Sequence, residues 1–505
     1  MSDGPAGISG LADLPGVCRQ LGGVVADLDA GLNCVWLLPD RLVDSGQADE
    51  LYLRVLSGAP LHIDVPSVVD EEPGSPTEHG PLDEPLTGLG YGADADQLPY
   101  LDSYDDGFDL GWEADAYAPV IPAPRSQSLW APVPLGDLAA RIAKEISAPA
   151  DDVVARLVTP EAGGRGPVIG IRAWGELEDG PLRGTGIERF YRSLSTAAKA
   201  AGLPPAERPR LLVAARLGDL PSGLPDELHL DSGVTAVHWW WGALGRLDIS
   251  TAVVACLGAG TPPTGHERDS LGDRIVRQLT VETVVEVCGP DLELAQQLAF
   301  GWDGRQGTLE TALRQCLVAD TSLTGAYFEV PARMGARRRP GADMREAWSR
   351  GAIAEWEGQL RMHPATWCPA DPATELTGVA RARLTALVAQ AQQRVVLPWI
   401  EEARRLLAAR SLRYLRRPVE NVVHEYIERP ASHLRTQPEH AFLEIQVGEL
   451  LYAHRQGAVA LPPYEARLLR LLVKVRNILS HRSVLHDTTL RDLCGELARF
   501  DLLTS

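Results

Sequence analysis

Lysine, paired cysteines and metal-ligand spacings are what this sequence most lacks. Only three of its 48 basic residues are lysines, namely Lys144, Lys199 and Lys474. None of them follows a glycine, which excludes the phosphate-binding loop in which a Gly-rich turn is closed by Lys and Ser/Thr. Gly163-Gly164-Arg165-Gly166 and Gly184-Thr185-Gly186 are short glycine clusters without the rest of that fingerprint, and they fit turns. The seven cysteines, at 18, 34, 256, 288, 316, 368 and 494, are odd in number, scattered and mostly set in apolar segments. They fit reduced core thiols of a cytoplasmic protein better than a disulfide framework. CxxC and HxxxH spacings are absent, so neither a structural zinc nor another cofactor is expected. A GxSxG nucleophile elbow is also missing. No uncharged apolar run approaches the ~18 residues needed to cross a bilayer, and the opening MSDGPAGISG lacks the basic and apolar regions of a secretory signal. No membrane partner is expected.

Positive charge is missing from one stretch altogether. Residues 66–124 hold 14 Asp/Glu and no Lys or Arg, with frequent Pro and Gly. Such a segment buries too little apolar surface to offset its ordering entropy and reads as a disordered acidic insert. Its bland role is a solvated linker; the sharper one is a mimic of nucleic acid that shields a basic site. The net charge of −20 therefore hides a partition. Residues 331–505 carry 26 Lys/Arg against 19 Asp/Glu, while residues 1–330 carry 22 against 49. Basic surface attracts polyanions by counterion release and acidic surface repels them, so any polyanion contact belongs to the C-terminal third.

What is present alternates in the α/β manner. Helical patterns at 11–29, 46–57, about 135–147 and 186–201 are interleaved with short apolar runs at 33–39, 61–65, 168–174, 210–216 and 234–239. That alternation predicts parallel βαβ units. The expected organisation is an α/β segment at 1–65, the acidic insert at 66–130 and a continuation of the same α/β domain at 131–265. A helical domain at 266–330, a basic linker at 331–374 and an all-α domain at 375–505 follow. The α/β layout resembles that of signalling-type P-loop ATPases stripped of their catalytic residues, which implies a degenerate relative used for assembly or sensing. His238-Trp239-Trp240-Trp241-Gly242 has two readings, a stacking platform or a strand end packed under helices. Asp248 reads as a possible N-cap of the helix that follows.

The segment Leu461–Leu497 carries the chemistry. Pro462-Pro463 sets a helix start, and an apolar stripe runs through Leu468, Leu471, Leu472, Val475 and Leu479. A second helix is capped between Asp487 and Thr489, with Thr489 and Asp492 at capping-box spacing. Between the two helices stand Arg476, Asn477 and His481. This pattern resembles the signature of the HEPN (higher eukaryotes and prokaryotes nucleotide-binding) superfamily of helical domains: Arg, a polar residue, three more residues, then His. The resemblance covers roughly 375–505. It implies a metal-independent endoribonuclease in which Arg476 binds phosphate, His481 acts as acid and base, and Asn477 orients it. Histidine titrates near neutrality and arginine binds phosphate bidentately, which suits cleavage of RNA through its own 2′-OH.

Residues five apart on a helix lie about 140° apart around its axis. Arg476 and His481 therefore converge on one phosphate only if the helix ends before His481 or two subunits share the site. The resemblance implies the second, a homodimer. Asn477 and His481 are i,i+4 neighbours with the reach to hydrogen-bond. By the same resemblance the chain belongs with bacterial conflict and anti-phage defence proteins. The alternative is a non-enzymatic scaffold or sensor of a multi-component defence system, with the helical domain docking protein partners.

Overall fold

The computed structural model describes residues 10–68, 136–159, 164–176, 182–259, 271–317, 323, 339–371, 373–428, 434, 436 and 437–500. The acidic insert falls outside these residues from position 69 on. Five strands form one sheet: β1 (Asn33–Leu37), β2 (His62–Asp64), β3 (Val168–Arg172), β4 (Arg210–Ala215) and β5 (Thr235–Trp239). All neighbours are parallel and the order is β2-β3-β4-β1-β5. The three central strands, β3, β4 and β1, are almost wholly buried along their length, as a parallel sheet covered on both faces requires. Every strand expected from the sequence forms, trimmed by one or two residues at its ends.

Helix α1 (Pro15–Asp29) packs against β1, while α2 (Asp40–Asp44) meets α3 (Gln47–Ser57), which packs against α1 and β2. Helices α4 (Gly136–Glu145), α5 (Val153–Val158), α6 (Thr185–Ala200) and α7 (Leu224–Leu230) complete the remaining crossovers. Because β1 leads away to the far edge while β4 leads back past it, the connections diverge between these two neighbours. The carboxyl ends of β1 and β4 thus form the switch point at which open parallel sheets place their crevice.

After β5 the chain enters α8 (Arg246–Ala259), α9 (Leu271–Cys288), α10 (Leu292–Gly301) and α11 (Gln306–Leu317). These do not make a separate helical domain at 266–330: α10, α11 and the second half of α9 are buried in the same core as the sheet. Nor is 331–374 a linker from Arg339 onward. It folds as α12 (Arg345–Ser349) and a hairpin of β6 (Ile353–Trp356) and β7 (Gln359–Met362). Trp348, Trp356 and Cys368 join the sheet's core. Three of its described arginines, Arg339, Arg345 and Arg361, serve tertiary pairs. Arg345 grips Asp226 through both terminal nitrogens, at 2.7 and 2.6 Å, and lies over the Trp239 ring. Residues 331–338 of that segment lie outside the described set.

The last region is all helical, as expected. It comprises α13 (Gly378–Ser411), α14 (Val419–Tyr426), α15 (Pro438–Leu443), α16 (Val447–Arg455), α17 (Pro463–Ser480) and α18 (Asp487–Arg499). The 34-residue α13 spans two cores. Its first half, up to Val388, belongs with the sheet, and from Val396 it joins the C-terminal helices, which also bury Leu271, Ile275 and Leu279 of α9. A charge hub locks the junction. Arg246 pairs with Glu282 and Glu286 at 2.5 Å each and with Glu357 at 2.8 Å, while Arg394 of α13 reaches Glu286 at 3.1 Å. Among the described residues, no helix is long and apolar enough to cross a membrane.

Candidate functional site

Helix α17 begins at Pro463, whose fixed φ suits the first helical position. It buries Leu468, Leu469, Leu472, Val475 and Leu479, each leucine worth roughly 1.5–3 kcal/mol of removal from water. The helix stops at Ser480, with His481 as its C-cap at φ −86°. Arg482 then takes a left-handed conformation, φ +54°. Its N–H donates to the Leu479 carbonyl at 2.9 Å, and that of Ser483 to Ile478 at 3.1 Å. This is the double closure in which glycine is the usual left-handed residue. Here an arginine bears a conformation that costs an L-residue about 1–2 kcal/mol.

Helix α13 pins this turn. Gln392 holds the Leu485 backbone from both sides, accepting its N–H at 2.6 Å and donating to its carbonyl at 3.0 Å. The neighbouring Gln393 donates to the Leu479 carbonyl. Sequence reasoning missed Gln392, Gln393 and Arg482. The two adjacent amides inside the apolar pattern of α13 were the available signal for the first pair; nothing local marked Arg482.

Arg476, Asn477 and His481 are all exposed. None makes a side-chain hydrogen bond or ion pair with another described residue. The expected Asn477–His481 side-chain bond is absent; the two meet only through the backbone, His481 N–H to the Asn477 carbonyl at 3.2 Å. Ser480 folds its hydroxyl back onto the Arg476 carbonyl at 2.8 Å. The helix ends before His481, which is one of the two arrangements that would let Arg476 and His481 approach one phosphate, and both side chains face solvent.

The carboxyl end of the sheet is organised differently. Strand β1 runs into Leu38-Pro39-Asp40, and the Leu38 N–H is spent on the Ala215 carbonyl, 2.9 Å. Asp40 accepts the Ser349 hydroxyl at 2.8 Å, and burial raises its carboxyl pKa. Across the switch point, burial likewise raises Asp219, although it accepts the Arg216 N–H at 2.8 Å and faces Arg183 at 2.8 Å. Two carboxylates, not a ring of N–H donors, occupy the place of a phosphate cradle.

A cavity of about 200 Å³ opens beside Pro39 and Trp240 under the β6–β7 hairpin. On its polar side the Ala365 N–H donates to His363 Nδ1, leaving Nε2 to donate to Asp291 at 2.8 Å. Burial pushes the Asp291 carboxyl up, but the His363 bond, the Arg41 guanidinium at 2.6 Å and the Leu294 N–H hold it well below the usual carboxylate range. Both imidazole nitrogens are committed within the protein, so this His–Asp pair is a tie between elements and not an acid–base dyad.

The tryptophan run packs under helices and does not form a platform. Trp239 meets Trp348 edge-on at 5.1 Å, Trp240 lies 6.2 Å from Trp36, and Trp348 Nε1 donates to the Trp240 carbonyl at 2.9 Å. Asp248 is not an N-cap but sits inside the first turn of α8. Buried there, it accepts the Gly245 N–H at 2.7 Å and the Gly16 N–H at 2.8 Å, joining the starts of α8 and α1. Second-helix capping also shifts, since α18 already begins at Asp487. No protein-family model, curated protein or solved structure matches the chain.

Proposed function

We propose that the chain is a conflict-type protein of the anti-phage defence class whose C-terminal domain is HEPN-like and cleaves RNA without a metal, from a site shared by two copies. The observation that carries this is the unpartnered, solvent-facing set Arg476, Asn477 and His481 at a turn that α13 holds in place. A structural triad would be spent on its own chain, as His363, Asp291 and Arg41 are. In the shared site, His481 of one copy takes the 2′-OH proton as that oxygen attacks phosphorus. The guanidinium of Arg476 from the second copy stabilises the crowded phosphate, and the 5′-oxygen leaves with a proton taken from solvent, while His481 later returns its proton to solvent. A cyclic phosphate and a 5′-hydroxyl are the products.

Purified protein incubated with total RNA in EDTA tests this, alongside His481→Ala and Arg476→Ala. Each variant alone should be inactive, and an equimolar mixture should regain part of the activity, because mixed dimers keep one intact site. Cleavage that survives either substitution, or a wild type that never cleaves, removes the ribonuclease assignment. A second function fits the sheet region, a non-hydrolysing sensor or assembly platform. It is favoured by the cavity of about 200 Å³ beside a switch point that is filled with carboxylates.

A further inference from the structure

Along α17, Arg467, Arg470, Lys474, Asn477 and His481 are all exposed, and their spacings of three, four, three and four residues keep them on one face. That face is opposite the buried Leu468, Leu472, Val475 and Leu479. At ~1.5 Å per residue the stripe is roughly 21 Å long, with a cation or polar group at about every turn and His481 at its end. Arg470 and Lys474 have no ion-pair partner among the described residues. Arg467 shares Glu496 with Arg499, at 3.2 and 3.5 Å, and stays largely exposed. The only acidic residue of the helix, Glu465, is buried away from the stripe. At the start of α17 the chain 414–416 lies against 458–460, with Ala460 N–H to the Tyr414 carbonyl at 2.8 Å, which sets exposed Arg413 and Arg416 close to the same end.

From this placement we infer that the solvent face of α17 is a track for the backbone of single-stranded RNA, delivering a phosphodiester to the His481 end. The identity of the ligand rests on the ribonuclease proposal; the track itself does not need cleavage. A single strand fits where a duplex does not, because the deep, narrow major groove of A-form RNA excludes a helix. A membrane surface is disfavoured because the apolar face that would enter it is already buried in the domain.

Binding of a fluorescein-labelled 2′-O-methyl oligouridylate, which resists cleavage, is followed by anisotropy over a range of salt. The double variant Arg470→Gln/Lys474→Gln should bind about tenfold more weakly. Its log K against log salt should be shallower by about 1.4, at ~0.7 for each lost phosphate contact. The control Arg405→Gln, on an exposed arginine of α13 paired to Glu402 at 2.9 Å, should bind as wild type. Equal binding by the double variant overturns the track, as does equal weakening by the control. Competition by heparin or duplex DNA as strong as by unlabelled oligouridylate also overturns it, leaving a general polyanion surface. Wild type that binds with the expected slope but cleaves nothing keeps the track and loses the ribonuclease. Cleavage unaffected by the double substitution does the reverse.

Discussion

At the carboxyl end of the sheet Arg41, Asp291 and His363 answer one another, and Asp40 is met by Ser349. At the end of α17, Arg476, Asn477 and His481 are exposed and their side chains pair with no other described residue. Both places gather polar and charged residues, and both would look like sites in a bare inventory. The difference is what remains available. A buried group must find its partner inside the fold or pay the desolvation of an unmade bond, so closed networks of this kind stabilise structure. An exposed arginine or histidine loses nothing by staying unpaired, and it is then free to meet a second molecule. The strained turn at Arg482 adds to the contrast, because non-glycine residues in left-handed backbone concentrate where geometry serves function.

The comparison breaks most easily at Trp348, which closes the sheet's end from the C-terminal side. Trp348→Ala should cost about 3–5 kcal/mol through lost burial and the cavity left behind. A urea melt should show this as a large drop in midpoint. A variant as stable as wild type would mean that α12 and the hairpin are an appendage. His481→Ala should do the opposite. Cleavage should fall by roughly 10²- to 10⁴-fold, while the melt shifts by no more than ~0.5 kcal/mol. If this substitution unfolds the domain, the solvent-facing assignment is wrong.

Arg482→Gly sharpens the same point, since it relieves the left-handed arginine and should stabilise by about 1 kcal/mol. A loss of stability would show that the Arg482 side chain makes up for its backbone. The smallest effect is one of pH. Because burial raises the Asp40 carboxyl, the native state takes up a proton there before the unfolded chain does. Stability contributed at this position therefore grows as pH falls from neutral toward the ordinary carboxylate range near ~4. Asp40→Asn should be at least as stable as wild type at neutral pH and lose that advantage at pH ~5. Thermal melts at the two pH values check it, and a constant difference would place Asp40 in contact with water.

Much of the fold was legible because its signals are local. Runs such as Val168–Arg172 and Arg210–Ala215, separated by amphipathic helices, announce a parallel sheet buried on both sides. The segment 331–374 was misread because composition averages over distance. Its arginines and prolines suggest a linker, whereas Trp348 and Trp356 are core residues whose partners lie about a hundred residues earlier. Asp248 was misplaced for a related reason, since one of its two acceptor bonds reaches Gly16, 232 residues away. At the candidate site the residues Arg476, Asn477 and His481 could be read directly. The end of their helix at Ser480 could not, because it depends on Arg482 adopting the left-handed turn and on two glutamines of α13.

Sequence alone determined the periodic elements, the partition of charge between the acidic first two-thirds and the basic last third, and the residue types at the end of α17. Each of these follows from side chains within a few turns of one another. Only the tertiary structure decided the strand order, the closing of the sheet's end by a distant hairpin, and the commitment of His363 to Asp291 while His481 stays free. Those outcomes depend on contacts between residues far apart in the chain, where burial and pairing are settled by packing and not by neighbours in sequence.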